Sequence, residues 1–142
     1  MERLTSPRTI KYIMEKYGFK FSKGLGQNFI IDENVLERIM DGSDISGDDV
    51  ILEIGPGIGV MTNVLCENAK KVVSIEIDKS LIPVLSETVG HHENLKIINK
   101  DVLKVDLLSL VKEEFGEQKP KLIANLPYYV TTRSEERRVW KE

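Results

Sequence analysis

Four polar side chains stand at the ends of four short apolar runs. Glu53 follows Val50-Ile51-Leu52, Glu76 follows Val72-Val73-Ser74-Ile75, Asp101 follows Leu95 to Asn99, and Asn125 follows Lys121 to Ala124. Between the first run and the next segment lie three glycines at alternate positions, Gly55, Gly57 and Gly59. Carboxylates accept protons from hydroxyl or amino groups, and a carboxamide oxygen or a backbone carbonyl does the same for an amine. Glycines let backbone approach a ligand closely, because no Cβ intervenes. Tyr128, three residues after Asn125, offers a ring face on which a planar group can stack. Residue types of this kind suit the close approach of a nucleotide-like ligand.

Such residues work only if the chain brings them to one edge. Strands are predicted at Val50–Ile54, Val72–Glu76, Leu95–Asn99 and Lys121–Asn125, with helices at about Val60–Ala69, Lys79–Val89 and Asp106–Phe115. This βαβαβαβ order, with strands apolar on both faces, implies a parallel sheet covered by helices and joined by right-handed crossovers. Ligands of such sheets bind beyond the carboxyl ends of the strands. Every predicted strand delivers a polar side chain there, which packing alone does not require. Pro83 should bend or delay the helix that contains it. Upstream, Ser6-Pro7 starts a helix with Ile10, Ile13, Met14 and Tyr17 at helical spacing, closed by Gly18. A second helix runs from a cap at Asp32 to about Asp41, with Val35, Leu36, Ile39 and Met40 on its buried side.

Bulk properties agree with a globular chain. The 142 residues are 41% hydrophobic and 30% charged, enough for one core. No apolar run approaches the roughly 20 residues that span a bilayer. The start lacks the apolar stretch of a signal peptide, so a cytoplasmic location is expected. The one cysteine, Cys66, excludes an internal disulfide and reads as a small core residue. His91 and His92 have no cysteine or third histidine nearby, so no metal site is expected. The net charge of −3 hides an asymmetry: residues 1–24 carry about +4, residues 133–142 about +1, and the middle about −8. A basic arm on an acidic body suits a polyanionic partner.

The glycine spacing selects among ligands. A nicotinamide-type G-x-G-x-x-G, counted from Gly55, puts its third glycine on Val60; counted from Gly57, on Thr62. The pattern E-x-G-x-G-x-G from Glu53 instead resembles the S-adenosylmethionine-binding loop of Rossmann-like methyltransferases. On that resemblance Glu76 accepts from the ribose hydroxyls, with Ile77 beside it. Asp101 and the Val102 N–H meet the adenine. Asn125-Leu126-Pro127-Tyr128 is similar to the N/D-P-P-Y/F motif of methyltransferases that act on exocyclic amino groups. The residue types suit that chemistry. An adenine N6 lone pair is delocalised into the ring. If the Asn125 side chain and a carbonyl at Leu126 or Pro127 accept its two protons, the nitrogen can pyramidalise and attack a methyl group. Tyr128 would stack on a base swung out of its helix, a contact worth roughly 1–3 kcal/mol.

Gly24-Leu25-Gly26-Gln27-Asn28-Phe29-Ile30-Ile31-Asp32 completes a set of motifs in order. From about Ser6 to Thr132 the chain closely resembles the small-subunit (16S) ribosomal RNA adenine N6-dimethyltransferases, the family whose loss gives kasugamycin resistance. The resemblance implies a Rossmann-like S-adenosylmethionine-dependent fold. It also implies cofactor contacts at Gln27, Asn28, Ile30, Glu53, Gly55, Gly57, Glu76, Ile77, Asp101, Val102 and Asn125, and catalytic roles for Asn125, Leu126, Pro127 and Tyr128. The implied target is a pair of adjacent adenosines near the 3′ end of small-subunit ribosomal RNA, inside an assembling small subunit, with the basic arm on RNA phosphates. A monomer is expected. The alternatives are the related macrolide-resistance methyltransferases of the large subunit and a non-catalytic ribosome-assembly factor.

The expected organisation is a helical arm and Q-N-F cofactor lid over 1–48, a partial methyltransferase domain over 49–132, and a tail over 133–142. That tail, RSEERRVWKE, replaces the Pro-Ile pair and apolar helix with which the family continues. It reads as appended or frame-shifted coding sequence. The chain is therefore expected to be an N-terminal fragment holding the first four strands, with the family's site residues but without assured activity.

Overall fold

The computed structural model describes residues 4–18 and 33–124. Among these residues two helices precede an alternation of strands and helices: α1 Pro7–Tyr17, α2 Glu33–Ser43, β1 Val50–Ile54, α3 Val60–Asn68, β2 Lys71–Ile75, α4 Ile82–Val89, β3 Leu95–Ile98, α5 Leu107–Phe115 and β4 Lys121–Ala124. The strands form one parallel sheet in the order β3-β2-β1-β4. Strand order reverses at β1, since β2 and β3 extend to one side and β4 lies on the other. The crevice between the carboxyl ends of β1 and β4 is where such a sheet accepts ligands. Register makes this concrete: Ile54 pairs with Ala124, so the glycine loop leaves β1 beside the point where β4 leads into Asn125.

Period-two alternation divides the strands between two cores. On one face Ile51 and Val72 pack with Ile10, Ile13 and Met14 of α1, Leu36 of α2, Met61 and Leu65 of α3, and Val84 and Leu85 of α4. On the other, Leu52, Ile54, Val73 and Ile75 meet Leu107, Leu110, Val111 and Phe115 of α5. Helices thus cover both faces, which is the α/β methyltransferase arrangement. Cys66 lies in the first core, and burial pushes its thiol up to about 12, so it packs as a small hydrophobe.

The element ends differ from expectation by small amounts with identifiable causes. β2 runs Lys71–Ile75 rather than reaching Glu76, because Glu76 has turned toward the carboxyl edge. β3 likewise stops at Ile98. Pro83 does delay its helix: Lys79–Leu81 form a 3₁₀ turn, and α4 begins at Ile82 with the proline in its first turn, where the missing N–H needs no partner. Asp106 caps α5 by accepting from Ser109 N–H at 3.2 Å. Ser6 occupies the cap position of α1 but makes no side-chain cap bond; its carbonyl accepts from Ile10 N–H at 3.0 Å, and Pro7 fills the first helical position. The expected Asp32 cap and the stretch Gly24 to Asp32 lie outside the described residues.

Lys16, one cation of the basic stretch 1–24, is paired within the fold. Its ammonium lies 2.6 Å from Glu87 on α4 and 3.1 Å from the Tyr12 hydroxyl. Tyr12 donates to the same carboxylate at 3.1 Å, and so does Tyr17. Glu87 therefore gathers three donors from α1, and Lys16 beside it holds its carboxyl below the usual range. Other lysines serve the fold too. Lys121 reaches the carbonyls of Ser43 and Asp44 at the end of α2 and the Asp49 carboxylate, at 2.8, 2.6 and 3.1 Å, which sets a cation on the negative end of that helix. Lys71 and Lys96 both pair with Glu114 on α5. No described helix is long and apolar enough to cross a membrane.

Because Ile13 is fully buried between α1 and the sheet, α1 is part of the core rather than a loose arm. Ile13→Ala should lower the unfolding free energy by about 2–4 kcal/mol in urea titration. A loss below roughly 0.5 kcal/mol, as for a surface position, would mean that α1 does not depend on this packing.

Candidate functional site

The loop after β1 is built from left-handed backbone. Gly55, Gly57 and Gly59 have φ of 72°, 59° and 97°, values at which a side chain costs roughly 1–2 kcal/mol. At Gly59 space forbids a side chain as well: a Cβ would lie 2.9 Å from Thr88 Oγ1 and 3.0 Å from Val89 Cγ1. The alternate glycines thus serve two ends. They turn the chain from β1 into α3, and they let α4 close on the loop from below.

Hydrogen bonds continue the sheet into the loop. Gly55 N–H donates to Ile75 carbonyl at 2.9 Å, and Glu76 N–H to Ile98 carbonyl at 2.9 Å. The Glu76 carboxylate then ties two turns together. One oxygen accepts from Gly57 N–H at 3.2 Å and the other from Asp78 N–H at 2.8 Å. Glu76 is only 5% exposed, and burial raises its pKa despite those two donors. Asn99 steadies the same segment by donating to the Glu76 carbonyl at 2.8 Å. Next along the edge, Ile77 holds a large apolar side chain 62% in solvent. That placement suits the face of a planar ligand better than a core.

Glu53 is placed differently. It is fully buried and faces the first core side of the sheet, next to its register partner Ser74. Its Oε1 accepts from Ser74 Oγ and from Thr62 Oγ1, both at 2.6 Å. Its Oε2 has no partner among the described residues. Burial pushes the Glu53 pKa up to about 7 against the pull of the two hydroxyls, and the Glu76 carboxylate raises it further. Glu53 thus bonds β1, β2 and α3 to one another beneath the loop. Asp101 is also used locally: its Oδ1 accepts from Leu103 N–H at 3.0 Å and caps the 3₁₀ turn Val102–Lys104. The second Asp101 oxygen stays at the carboxyl edge, beside half-buried Val102. A packing account therefore does explain part of the polar edge, contrary to the expectation from sequence.

Of the residues singled out in the sequence, Gly55, Gly57, Glu76, Ile77, Asp101 and Val102 come to the carboxyl edge of one sheet, whereas Glu53 lies inside β1 and turns into the core. Gln27, Asn28, Ile30, Asn125, Leu126, Pro127 and Tyr128 lie outside the described residues. Sequence reading passed over Thr62, Ser74, Thr88 and Asn99. Each is a small polar residue whose importance comes from a partner 9 to 30 positions away. Only Ser74 left a trace in the sequence, as a polar residue inside an otherwise apolar strand. Among the described residues no group of three His, Cys, Asp or Glu could hold a metal ion.

Comparison with known proteins points one way. A profile of the family described as ribosomal RNA adenine dimethylase matches residues 18–133. Ribosomal RNA small subunit methyltransferase A of Alkaliphilus metalliredigens is 56% identical over 132 residues, which are 93% of this chain and 46% of that protein. Its counterpart from Clostridioides difficile is 49% identical over the same shares. The chain spans about half the length of the curated relatives it matches. Among solved structures, the 23S rRNA methyltransferase ErmE aligns with 78% of this chain and 41% of its own, at 28% identity and a TM-score of 0.58. A dimethyladenosine transferase from Plasmodium falciparum aligns with 71% of this chain and 34% of its own, at 28% identity and a TM-score of 0.54.

The raised Glu53 pKa sets a pH prediction. A carboxyl whose folded pKa is raised adds stability that is full below its unfolded value of 4.5 and is lost as pH rises through about 7. Relative to Glu53→Gln, the wild-type chain should lose roughly 3 kcal/mol of unfolding free energy across that window. Urea titrations at several pH values measure this. Parallel curves for the two proteins between pH 4.5 and 7 would show that Glu53 is not held neutral by burial.

Proposed function

This chain belongs to the ribosomal RNA adenine dimethylase family, and from that premise we propose that it carries the cofactor half of a small-subunit ribosomal RNA adenine N6-dimethyltransferase. The observation that carries the reading is the register of β1 with β4. It brings the glycine loop beside Ala124, the residue that precedes Asn125-Leu126-Pro127-Tyr128 in the sequence, at the switch point of the sheet. The identity of 49–56% with small subunit methyltransferases, against 28% with a 23S enzyme, favours the small-subunit target over the large.

The residues present fit S-adenosylmethionine. A left-handed glycine loop takes adenosine and methionine against backbone. The Glu76 carboxylate stands at the edge to accept ribose hydroxyls, exposed Ile77 offers an apolar face to the adenine, and Asp101 and Val102 supply an acceptor and an N–H at its rim. Gln27, Asn28 and Ile30 are assigned to the methionine end. Bound there, the cofactor supplies a methyl group activated by a positively charged sulfur. The chain's own part is to orient the nucleophile. The Asn125 side-chain oxygen and a carbonyl of Leu126 or Pro127 accept the two N6 protons, which frees the lone pair, and Tyr128 stacks on the extruded base. No general base is required for the attack, since the nitrogen sheds its proton after the methyl group is transferred.

Methyl transfer from labelled S-adenosylmethionine to purified small and large ribosomal subunits, by a full-length protein that carries these residues, tests the function. Label on small-subunit ribosomal RNA is expected; label on the large subunit, or on neither, overturns the reading. Two variants test the roles. Asn125→Ala should abolish transfer while retaining most of the cofactor affinity. Glu76→Ala should weaken cofactor binding at least about tenfold, the size expected from losing hydrogen bonds to a charged group. Calorimetric titration reads both, and an unchanged dissociation constant for Glu76→Ala removes the ribose assignment.

A further inference from the structure

The glycine loop has a second support that no motif announces. Thr88, on α4, is buried, and its hydroxyl donates to the Ile58 carbonyl at 2.8 Å. Ile58 lies between Gly57 and Gly59, both left-handed. Glycines of either hand let a peptide plane flip at little cost; inside the loop the Gly59 N–H opposes this by donating to the Pro56 carbonyl at 2.9 Å, and outside contacts complete the restraint. Two side chains supply them. Glu76 accepts from Gly57 N–H on one side, and Thr88 donates to Ile58 carbonyl on the other. These bonds fix the peptide planes before Gly57 and after Ile58, so the plane between them is held as well. The close approach of Gly59 to Thr88, Val89 and Leu85 leaves no slack. The helix that delivers Thr88 is itself held, because Glu87, the preceding residue, accepts from Tyr12, Lys16 and Tyr17 of α1.

We propose that Thr88 is a positioning residue of the cofactor site, which holds the glycine loop in its ligand-ready shape from beneath through the Ile58 carbonyl. The loop's being a cofactor site rests on the function proposed above; the hydrogen bond and its effect on loop shape do not. Thr88 touches neither cofactor nor substrate in this account. It acts through the backbone, and what it requires is a hydroxyl, not bulk.

The test compares Thr88→Val, which keeps the shape and removes the hydroxyl, with Thr88→Ser, which restores it. In the ligand-free 142-residue chain, amide exchange at Gly57 and Gly59 should rise roughly five- to tenfold in the Val variant, in line with one lost hydrogen bond. It should return toward wild type in the Ser variant, while the amides of β1 and β2 stay unchanged. Affinity for S-adenosylmethionine should fall by a similar factor in the Val variant and recover in the Ser variant. Equal exchange at the two glycines in wild type and Thr88→Val overturns the proposal, as does equal affinity in chains that bind. If the loop loosens as expected but even the wild-type chain binds no S-adenosylmethionine, the support by Thr88 stands and the cofactor reading fails. Should Thr88→Val not fold, the wild-type Thr88 hydroxyl proton decides: slow exchange in the NMR spectrum supports the bond to Ile58, and fast exchange with solvent overturns it.

Discussion

A carboxyl group buried under the glycine loop constrains the rest of this molecule. Glu53 sits in the middle of the sheet with no exposed surface, and taking its charge out of water is costly unless donors surround it. Ser74 and Thr62 supply two hydroxyls at 2.6 Å, one from the neighbouring strand and one from the helix that the loop begins. Meeting that requirement fixes α3 against β1 and β2. With α3 fixed, the path from Ile54 to Val60 has only the five residues between them in which to turn, and the three left-handed glycines are what make that turn possible. The burial that makes Glu53 costly is thus also what makes the loop definite.

Around this anchor the two faces of the sheet carry different duties. The face with α1, α2, α3 and α4 holds the larger core and the Thr62 and Thr88 contacts beneath the loop. The α5 face closes the sheet from behind, and its edge strands are only half-buried. The same division explains the lysines. Those at the starts of strands are drawn into ion pairs with Glu114 and Asp49, and Lys16 is drawn into the cluster on Glu87. Of these four lysines only Lys16 belongs to the basic stretch 1–24, and it ties α1 to α4; the other three lie in the acidic middle of the chain.

Loop and strand ends also show how one residue serves fold and ligand together. The Glu76 carboxylate accepts from two backbone N–H groups. Asp101 caps a turn with one oxygen and keeps the other at the edge. A group bound by both its oxygens is preorganised, and its geometry is set before any ligand arrives. The bonds that appear structural are part of what would make the site selective.

The alternation of short apolar runs with helical segments was enough to determine four parallel strands, the helices between them and the edge where polar residues gather, because period and turn chemistry are local properties of the chain. The motifs from Gln27 to Tyr128 were likewise enough to name the family, since their order and spacing are linear facts. Some boundaries were legible for the same reason: Pro83 delays α4 wherever that helix packs. Tertiary structure alone decided what each polar residue touches. It turned Glu53 inward to Thr62 and Ser74, gave Lys16 to Glu87, split Asp101 between a cap and the edge, and put Thr88 under Ile58. Those partners lie 2 to 71 positions apart in the chain. Nearly all become neighbours only when the helices pack on the sheet, and a hydrogen bond is decided over a few ångströms of space rather than by distance along the sequence.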